Sequence, residues 1–97
     1  MAYQIRWSPR AASDFENICT YIAKDSVFYA RIFANKINTI IKTIPEFPES
    51  ERIVPEYGDK NLREKIYTNY RIIYRIKKET IEIIAISHSA KQLDNIL

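Results

Sequence analysis

The sequence predicts an α+β domain in which a two-helix hairpin covers one face of an antiparallel sheet. Apolar residues recur at helical spacing in the first half of the chain and at strand spacing in the second half. Helices and strands that are segregated along a chain are typical of the α+β class, where each layer buries one face against the other. With 97 residues, the chain is expected to form a single domain, residues 1–97.

A short strand and a helix open the chain. Tyr3, Ile5 and Trp7 alternate with polar residues, which predicts a strand. Ser8-Pro9 then predicts a helix start, because serine is a good N-cap and proline fits the first helical turn. The apolar stripe of this helix consists of Ala11, Phe15, Ile18, Cys19 and Ile22.

A second helix follows after Asp25-Ser26, which predicts another N-cap. Pro45 and Pro48 end it, and the short connection predicts that the two helices form an antiparallel hairpin. Residues 45–61 are polar and rich in turn residues, so we expect a loop there. The stripe of the second helix consists of Ala30, Phe33, Ile37, Ile40, Ile41 and Ile44.

Three strands at 62–67, 71–76 and 81–87 are predicted to form an antiparallel meander. A four-residue turn at 77–80 pairs Ile76 with Ile81 and places Ile73 opposite Ile84. A three-residue turn at 68–70 pairs Tyr67 with Arg71. We prefer it to a two-residue turn at 68–69, which would place two cations, Arg63 and Lys65, among apolar side chains. The tail after residue 88 is expected to form one or two helical turns.

This register predicts one face covered by the helices and one face left open. The covered face would carry Leu62, Ile66, Ile72, Tyr74, Ile76, Ile81, Ile83 and Ala85, with Glu64 as the only misfit. The open face would carry Arg63, Lys65, Tyr67, Arg71, Arg75, Glu82 and His88 around Ile73, Ile84 and Ile86. Cations and aromatic side chains on one surface suit an RNA strand, and the alternative is a solvated face on which Arg75 and Glu82 form an ion pair.

Composition excludes several classes of protein. The formal net charge is +3 and the pI is about 9.0, a mild cationic excess that favours an anionic partner. Cys19 is the only cysteine, so neither an internal disulfide nor a thiolate zinc site is expected. No signal peptide or membrane-spanning run is apparent, which predicts a cytoplasmic protein that does not bind membranes. We expect no metal and no cofactor.

The segments at 62–67, 69–76 and 81–88 resemble the C-terminal half of the RelE/ParE toxins. The stretch Tyr70-Arg71-Ile72-Ile73-Tyr74 is the most diagnostic, and the segments 7–11 and 52–56 add support. The resemblance covers nearly the whole chain. It implies the toxin of a type II toxin–antitoxin system, which a cognate antitoxin neutralises in a hetero-oligomeric complex.

The resemblance leaves the target open. RelE-like and YoeB-like members cut mRNA on the ribosome, whereas ParE-like members poison DNA gyrase. Arg71 with His88 favours a ribosome-dependent endoribonuclease, the leading hypothesis. The long hairpin, and the ending Asp94-Asn95-Ile96-Leu97 without the tyrosine that RelE uses, favour a gyrase inhibitor. A third hypothesis is an inactive homologue that binds only its antitoxin and, in a repressor complex with it, DNA.

The resemblance also implies roles for single residues. In the YoeB-like pattern, Glu56 would be the general base, Arg71 would stabilise the phosphorane, and His88, a looser match, would be the general acid. In the RelE-like pattern, the RNA backbone would be bound by Arg63, Lys65 and Lys91, and Tyr67 is a candidate to stack on a base.

Overall fold

Two helices cover one face of a five-stranded mixed sheet in the computed structural model, which describes residues 3–89. The chain forms β1 (Gln4–Trp7), α1 (Pro9–Asp25), α2 (Val27–Thr43), β2 (Arg52–Ile53), β3 (Leu62–Tyr67), β4 (Tyr70–Ile76) and β5 (Thr80–His88). The strand order is β1-β5-β4-β3-β2, and β1 runs parallel to β5 while the other neighbours are antiparallel. The predicted α+β class, helical hairpin and meander are confirmed.

The serine caps explain where the helices begin. The Ser8 hydroxyl oxygen accepts a hydrogen bond from the Ala11 amide at 3.0 Å, and Ser26 accepts one from Tyr29 at 3.1 Å. Each bond satisfies an amide that has no partner within the helix. Because Ser26 alone separates α1 from α2, the helices fold back on each other as the sequence predicted. No helix within residues 3–89 is long and apolar enough to cross a membrane.

The segment between α2 and β3 is more ordered than a simple loop. It contains two short 3-10 turns, Ile44–Glu46 and Pro48–Ser50, and then β2 at the edge of the sheet. The Tyr74 hydroxyl donates a hydrogen bond of 2.6 Å to the Pro48 carbonyl, which fastens the second turn to β4. The predicted loop over 45–61 is therefore only partly correct.

The sheet carries a buried apolar cluster on each face. The larger cluster lies under the helices and contains Ala11, Phe33, Ile37, Ile41, Ile44, Ile72, Tyr74, Ile81, Ile83 and Ile86. The smaller cluster lies on the opposite face and contains Val54, Leu62, Ile73, Ile84 and Ala85. Because these residues are buried, the second face is not the open surface that the sequence predicted.

The predicted register between β3 and β4 is wrong by one residue. The strands are joined by a two-residue turn, Thr68 and Asn69, that pairs Tyr67 with Tyr70 and Ile66 with Arg71. Thr68 has a φ of 50°, a left-handed conformation that is rare outside glycine and asparagine. This conformation permits the two-residue turn, although a threonine does not indicate such a turn in the sequence.

The register between β4 and β5 starts as predicted and then slips. Ile76 pairs with Ile81, but a β-bulge follows, so that Tyr74 pairs with Ile83 and Ile73 with Ala85. The additional residue, Ile84, interrupts the alternation of faces along β5. The Ser8 hydroxyl donates a hydrogen bond of 2.9 Å to the carbonyl oxygen of Ile84.

Because of these two differences in register, several side chains lie on the opposite face from the one predicted. Leu62, Ile66 and Ala85 lie on the side away from the helices, whereas Tyr67 and Ile86 lie on the helix side. Arg63 and Lys65 also lie on the helix side, opposite Tyr74 and Ile72. A slip of one residue has this effect because neighbouring side chains along a strand point to opposite faces.

Candidate functional site

Arg71 lies at the centre of a buried network of ion pairs. Its Nη1 and Nη2 donate to the two carboxylate oxygens of Glu56 at 2.8 Å each, and its Nε donates to Glu64 Oε1 at 2.6 Å. Arg71 is only 5% exposed and the Glu64 side chain is fully buried. Arg52 donates to the other oxygen of Glu64, so that this carboxylate joins two guanidinium groups.

Three elements bring this network together. Arg71 and Glu64 come from β4 and β3, on the face that carries the smaller apolar cluster. Glu56 comes from the segment after β2, which is fixed because the Val54 amide donates to the Leu62 carbonyl at 3.0 Å. Gly58, with a φ of 63°, then donates back to the Val54 carbonyl at 3.0 Å. The turn therefore holds Glu56 over the end of the arginine side chain.

The electrostatics of the network favour a charged guanidinium. The hydrogen bonds that Arg71 donates to Glu56, and then to Glu64, raise its pKa above the ordinary value, although burial acts in the opposite direction. Bidentate contact of this kind is also how arginine binds a phosphate. In this arrangement Glu56 takes that position, so a phosphate could reach the Arg71 Nη atoms only by displacing the carboxylate.

The two basic residues of β3 are separated from Arg71 by the sheet. Arg63 Nη1 donates to the Glu49 and Glu51 carbonyls at 2.9 Å each, and Lys65 Nζ lies 3.3 Å from a Glu51 carboxylate oxygen. The segment before β2 thus provides polar partners at the edge of the sheet. The predicted common cationic face is wrong, because these contacts hold both side chains on the helix side.

His88 also lies on the helix side. It pairs across the strands with Tyr70, and the two rings meet edge to face with centroids 5.6 Å apart. Arg71 instead pairs with Ser87, and its side chain leaves the opposite face. The shared face predicted for Arg71 and His88 is therefore wrong. Tyr67 packs against Phe33 with a centroid distance of 6.2 Å.

Among the predicted site residues within 3–89, Glu56 and Arg71 are in direct contact. The roles proposed for the others stay predictions, and Lys91 lies outside the described residues. Arg75 does face Glu82 across the strands, but its ion pair is with Asp59 at 3.3 Å, while Glu82 pairs with Lys77.

Glu64 and Arg52 are members of the network that were not among the predicted site residues, and Glu64 is the one buried between the two guanidinium groups. The signal was present, because it was the only carboxylate on a strand face that was otherwise apolar. Such a group needs a buried cation, and Arg71 provides one. Within residues 3–89, no three His, Cys, Asp or Glu side chains are grouped so that they could hold a metal ion.

Comparison with known proteins agrees with this architecture. Residues 5–93 match the model of the ParE toxin family of the type II toxin–antitoxin system parDE. The chain is 31% identical to protein Y4kP of Sinorhizobium fredii, covering 97% of this chain and 96% of that protein. It is 29% identical to Toxin RelE2 of Caulobacter vibrioides, covering 91% of this chain and 97% of RelE2.

Two solved structures share the fold. A chain of the chromosomal ParDE toxin–antitoxin system from P. aeruginosa superposes with a TM-score of 0.74 at 18% identity, covering 90% of this chain and 96% of that one. The YoeB dimer from Staphylococcus aureus gives a TM-score of 0.62 at 19% identity, with coverages of 91% and 98%. The fold, the relatives and the match over nearly the whole length lead to one conclusion: the chain belongs to the ParE toxin family of type II toxin–antitoxin systems.

Proposed function

We propose that this toxin arrests growth by inhibiting DNA gyrase, as ParE-like members of the superfamily do, and not by cutting mRNA. The observation that supports it is that Glu56 already occupies the Arg71 guanidinium. The guanidinium is buried, and its Nη atoms are held by Glu56 in the geometry that a phosphate would need. An arginine used in this way fixes the segment after β2 to the sheet.

The geometry of RNA cleavage gives a second reason. Cleavage through the 2′-hydroxyl requires a base, a charge-stabilising group and an acid around one phosphate. His88 and Arg71 extend from opposite faces of the sheet, so one phosphate between β4 and β5 cannot contact both. Arg63 and Lys65 are engaged by the segment before β2 and do not converge on Arg71.

A second candidate function, ribosome-dependent mRNA cleavage, is favoured by one observation. Glu56 and Arg71, the two residues that the resemblance to YoeB-like toxins assigns as base and phosphorane-stabilising group, are in direct contact. For this function Glu56 would have to leave Arg71 and act as the base, with His88 as the acid. Arg63, Lys65, Tyr67 and Lys91 would then bind the RNA. The ribosome would have to rearrange the site, because its parts are separated in the isolated chain.

The proposal includes a cognate antitoxin as the partner that neutralises the toxin, in a hetero-oligomeric complex. Family membership supports it, because ParE toxins belong to two-component systems. An antitoxin segment that folds on binding can cover a large area of the toxin. Co-expression with the neighbouring antitoxin gene should therefore restore growth, and the two chains should purify together.

The test of the target combines two measurements in the same cells. The toxin is induced without antitoxin, mRNA ends are mapped by primer extension, and supercoiling of a reporter plasmid is measured. We expect intact mRNA together with DNA breaks linked to gyrase. New in-frame mRNA ends that disappear in the His88→Ala variant would replace the proposal with the nuclease function. Growth without either lesion would leave an inactive homologue that only binds its antitoxin.

A further inference from the structure

The outer face of α2 carries exposed apolar side chains. Phe28 is 67% exposed and Ile32 is 43% exposed, and their spacing of four residues places them on one face of the helix. The buried residues of α2, including Ala30, Phe33 and Ile37, lie on the opposite face. We call the exposed face formed by Phe28, Arg31, Ile32 and Asn35 the hairpin patch.

Further exposed apolar side chains lie next to the hairpin patch, at the start of α2 where the two helices are joined. Val27 is 60% exposed and Tyr29 is 63% exposed, and the Tyr29 ring meets Phe28 edge to face with centroids 5.6 Å apart. Grouped apolar side chains on a small soluble domain mark an interaction surface more often than isolated ones do. A groove would shield side chains of this size, so an exposure near two thirds indicates a convex surface.

The charged residues of α2 itself all have the same sign. Arg31, Lys36 and Lys42 are the charged residues of α2, which contains no aspartate or glutamate. Lys24 adds a further cation in the last turn of α1, next to Asp25. A second copy of the chain is a poor partner, because a two-fold interface would bring the same cations of both copies together. An acidic partner would complement them.

We propose that the hairpin patch is the surface with which the toxin enters an acidic, concave site on its folded target protein, which under the proposed function is DNA gyrase. A convex, apolar tip surrounded by cations fits a cleft that has an apolar floor and a carboxylate rim. Phe28 is the central anchor, because aromatic side chains that become buried in a partner's pocket carry a large share of binding free energy. Arg31 reaches the rim from the same face.

The test compares matched variants in gyrase supercoiling assays with purified bacterial gyrase and the full-length toxin. Phe28→Ser should weaken inhibition roughly tenfold or more, as expected for an interface anchor. Phe47→Ser is the control, because Phe47 is 72% exposed but lies outside the helices, between the two 3-10 turns. Arg31→Glu should weaken inhibition, while Lys42→Glu, near the other end of α2, should have little effect.

The outcomes separate this inference from the proposed function on which it rests. Thermal unfolding and co-purification with the antitoxin should be unchanged in all four variants. If Phe28→Ser inhibits gyrase as strongly as the unaltered toxin does, the role of the hairpin patch is overturned and the gyrase target stays in place. Loss of antitoxin binding in Phe28→Ser would assign the patch to the antitoxin and also overturn it. If the unaltered toxin does not inhibit gyrase, the proposed function fails, and this inference with it.

Discussion

At the scale of single residues, Arg71 and Glu64 form a buried ion pair. Removing two charges from water costs several kcal/mol for each ion, and the cost is offset only when the charges are paired and hydrogen-bonded. Glu64 has no exposed surface, and its oxygens contact Arg71 and Arg52. The pair is therefore sensitive to loss of one member, although it is not by itself a large source of stability.

We expect Arg71→Ala to lower the free energy of unfolding by about 3–5 kcal/mol, because it leaves the Glu64 carboxylate buried with Arg52 alone. Urea unfolding followed by circular dichroism measures the change. Arg75→Ala is the matched control on the same strand face. Its partially exposed ion pair with Asp59 should contribute less than about 1 kcal/mol.

A double variant distinguishes pairing from packing at the same position. Arg71→Met combined with Glu64→Leu removes both charges and keeps comparable volume, so it should be more stable than Arg71→Ala alone. If both variants lose the same amount of stability, the contribution of Arg71 is the packing of its side chain and not the neutralisation of Glu64.

Tyr74 gives a pH-dependent prediction. Its side chain is fully buried, and burial, with a smaller contribution from Glu51, raises the pKa of the phenol, whereas Arg63 lowers it. The folded state thus binds this proton more tightly than the unfolded state. The corresponding stability is present below the unfolded pKa of about 10 and is lost as the pH rises above it.

The urea concentration at the midpoint of unfolding should therefore decrease as the pH is raised from about 9.5 to about 11. In Tyr74→Phe this alkaline decrease should be smaller. Near pH 7 the variant should be less stable by about 1 kcal/mol, because the hydrogen bond to Pro48 is lost. Tyr21→Phe, which removes an exposed hydroxyl, is the control. An identical alkaline decrease in all three proteins would contradict the assignment to Tyr74.

At the scale of elements, the junction of β1, α1 and β5 depends on one serine. Ser8 caps α1 and also donates a hydrogen bond to the Ile84 carbonyl at the β-bulge. Asp14, one turn further, accepts a hydrogen bond of 3.0 Å from the Ile86 amide. Both side chains bond to backbone groups of β5 beyond Ile83, the last residue of β5 that pairs with β1.

Ser8→Ala should therefore destabilise the protein more than Ser26→Ala does. Loss of a cap costs about 1 kcal/mol in each case, and Ser8→Ala also leaves the Ile84 carbonyl without that donor, at a further cost of about 1 kcal/mol. Chemical denaturation of both variants measures the difference. Equal losses would mean that water replaces the serine at the bulge.

The helices could be predicted from the sequence because their signals are local. Ser8-Pro9, Ser26 and the stripe from Ala30 to Ile44 each lie within a few turns of what they determine. The β3–β4 register could not be predicted in this way. Its two-residue turn places Arg63 and Lys65 on the helix side, which the sequence alone disfavours because it indicates no partner for these two charges. The partners that make it tolerable, Glu49 and Glu51, are 14 residues away along the chain.

In the candidate site, too, features set by distant residues could not be predicted from the sequence. Glu56 and Arg71, to which the resemblance assigns roles in one site, are in direct contact, while those roles stay predictions. The position of His88 could not be predicted, because it depends on the additional residue Ile84, and a bulge has no clear sequence signal in a run of β-branched residues. One unpredicted residue was enough to move the imidazole to the other face.

At the scale of the whole molecule, the sheet separates two groups of side chains that a nuclease would need together. The face with Arg71 is covered by the segment after β2, and the face with His88 by the helices. A nuclease working across this sheet would have to open one of the two clusters. A gyrase inhibitor needs no such change, because its contacts would come from the exterior.

His88→Ala should therefore leave growth arrest intact, with the same inhibition of colony formation as the unaltered toxin at equal expression. The imidazole is exposed at the end of β5 and its ring contact is with Tyr70, so its loss should change the fold little. Ser89→Ala, at the adjacent exposed position, controls for altering this end of the strand. If His88→Ala alone abolishes arrest while the protein stays folded and still binds its antitoxin, the imidazole acts in chemistry, and the nuclease becomes the better function.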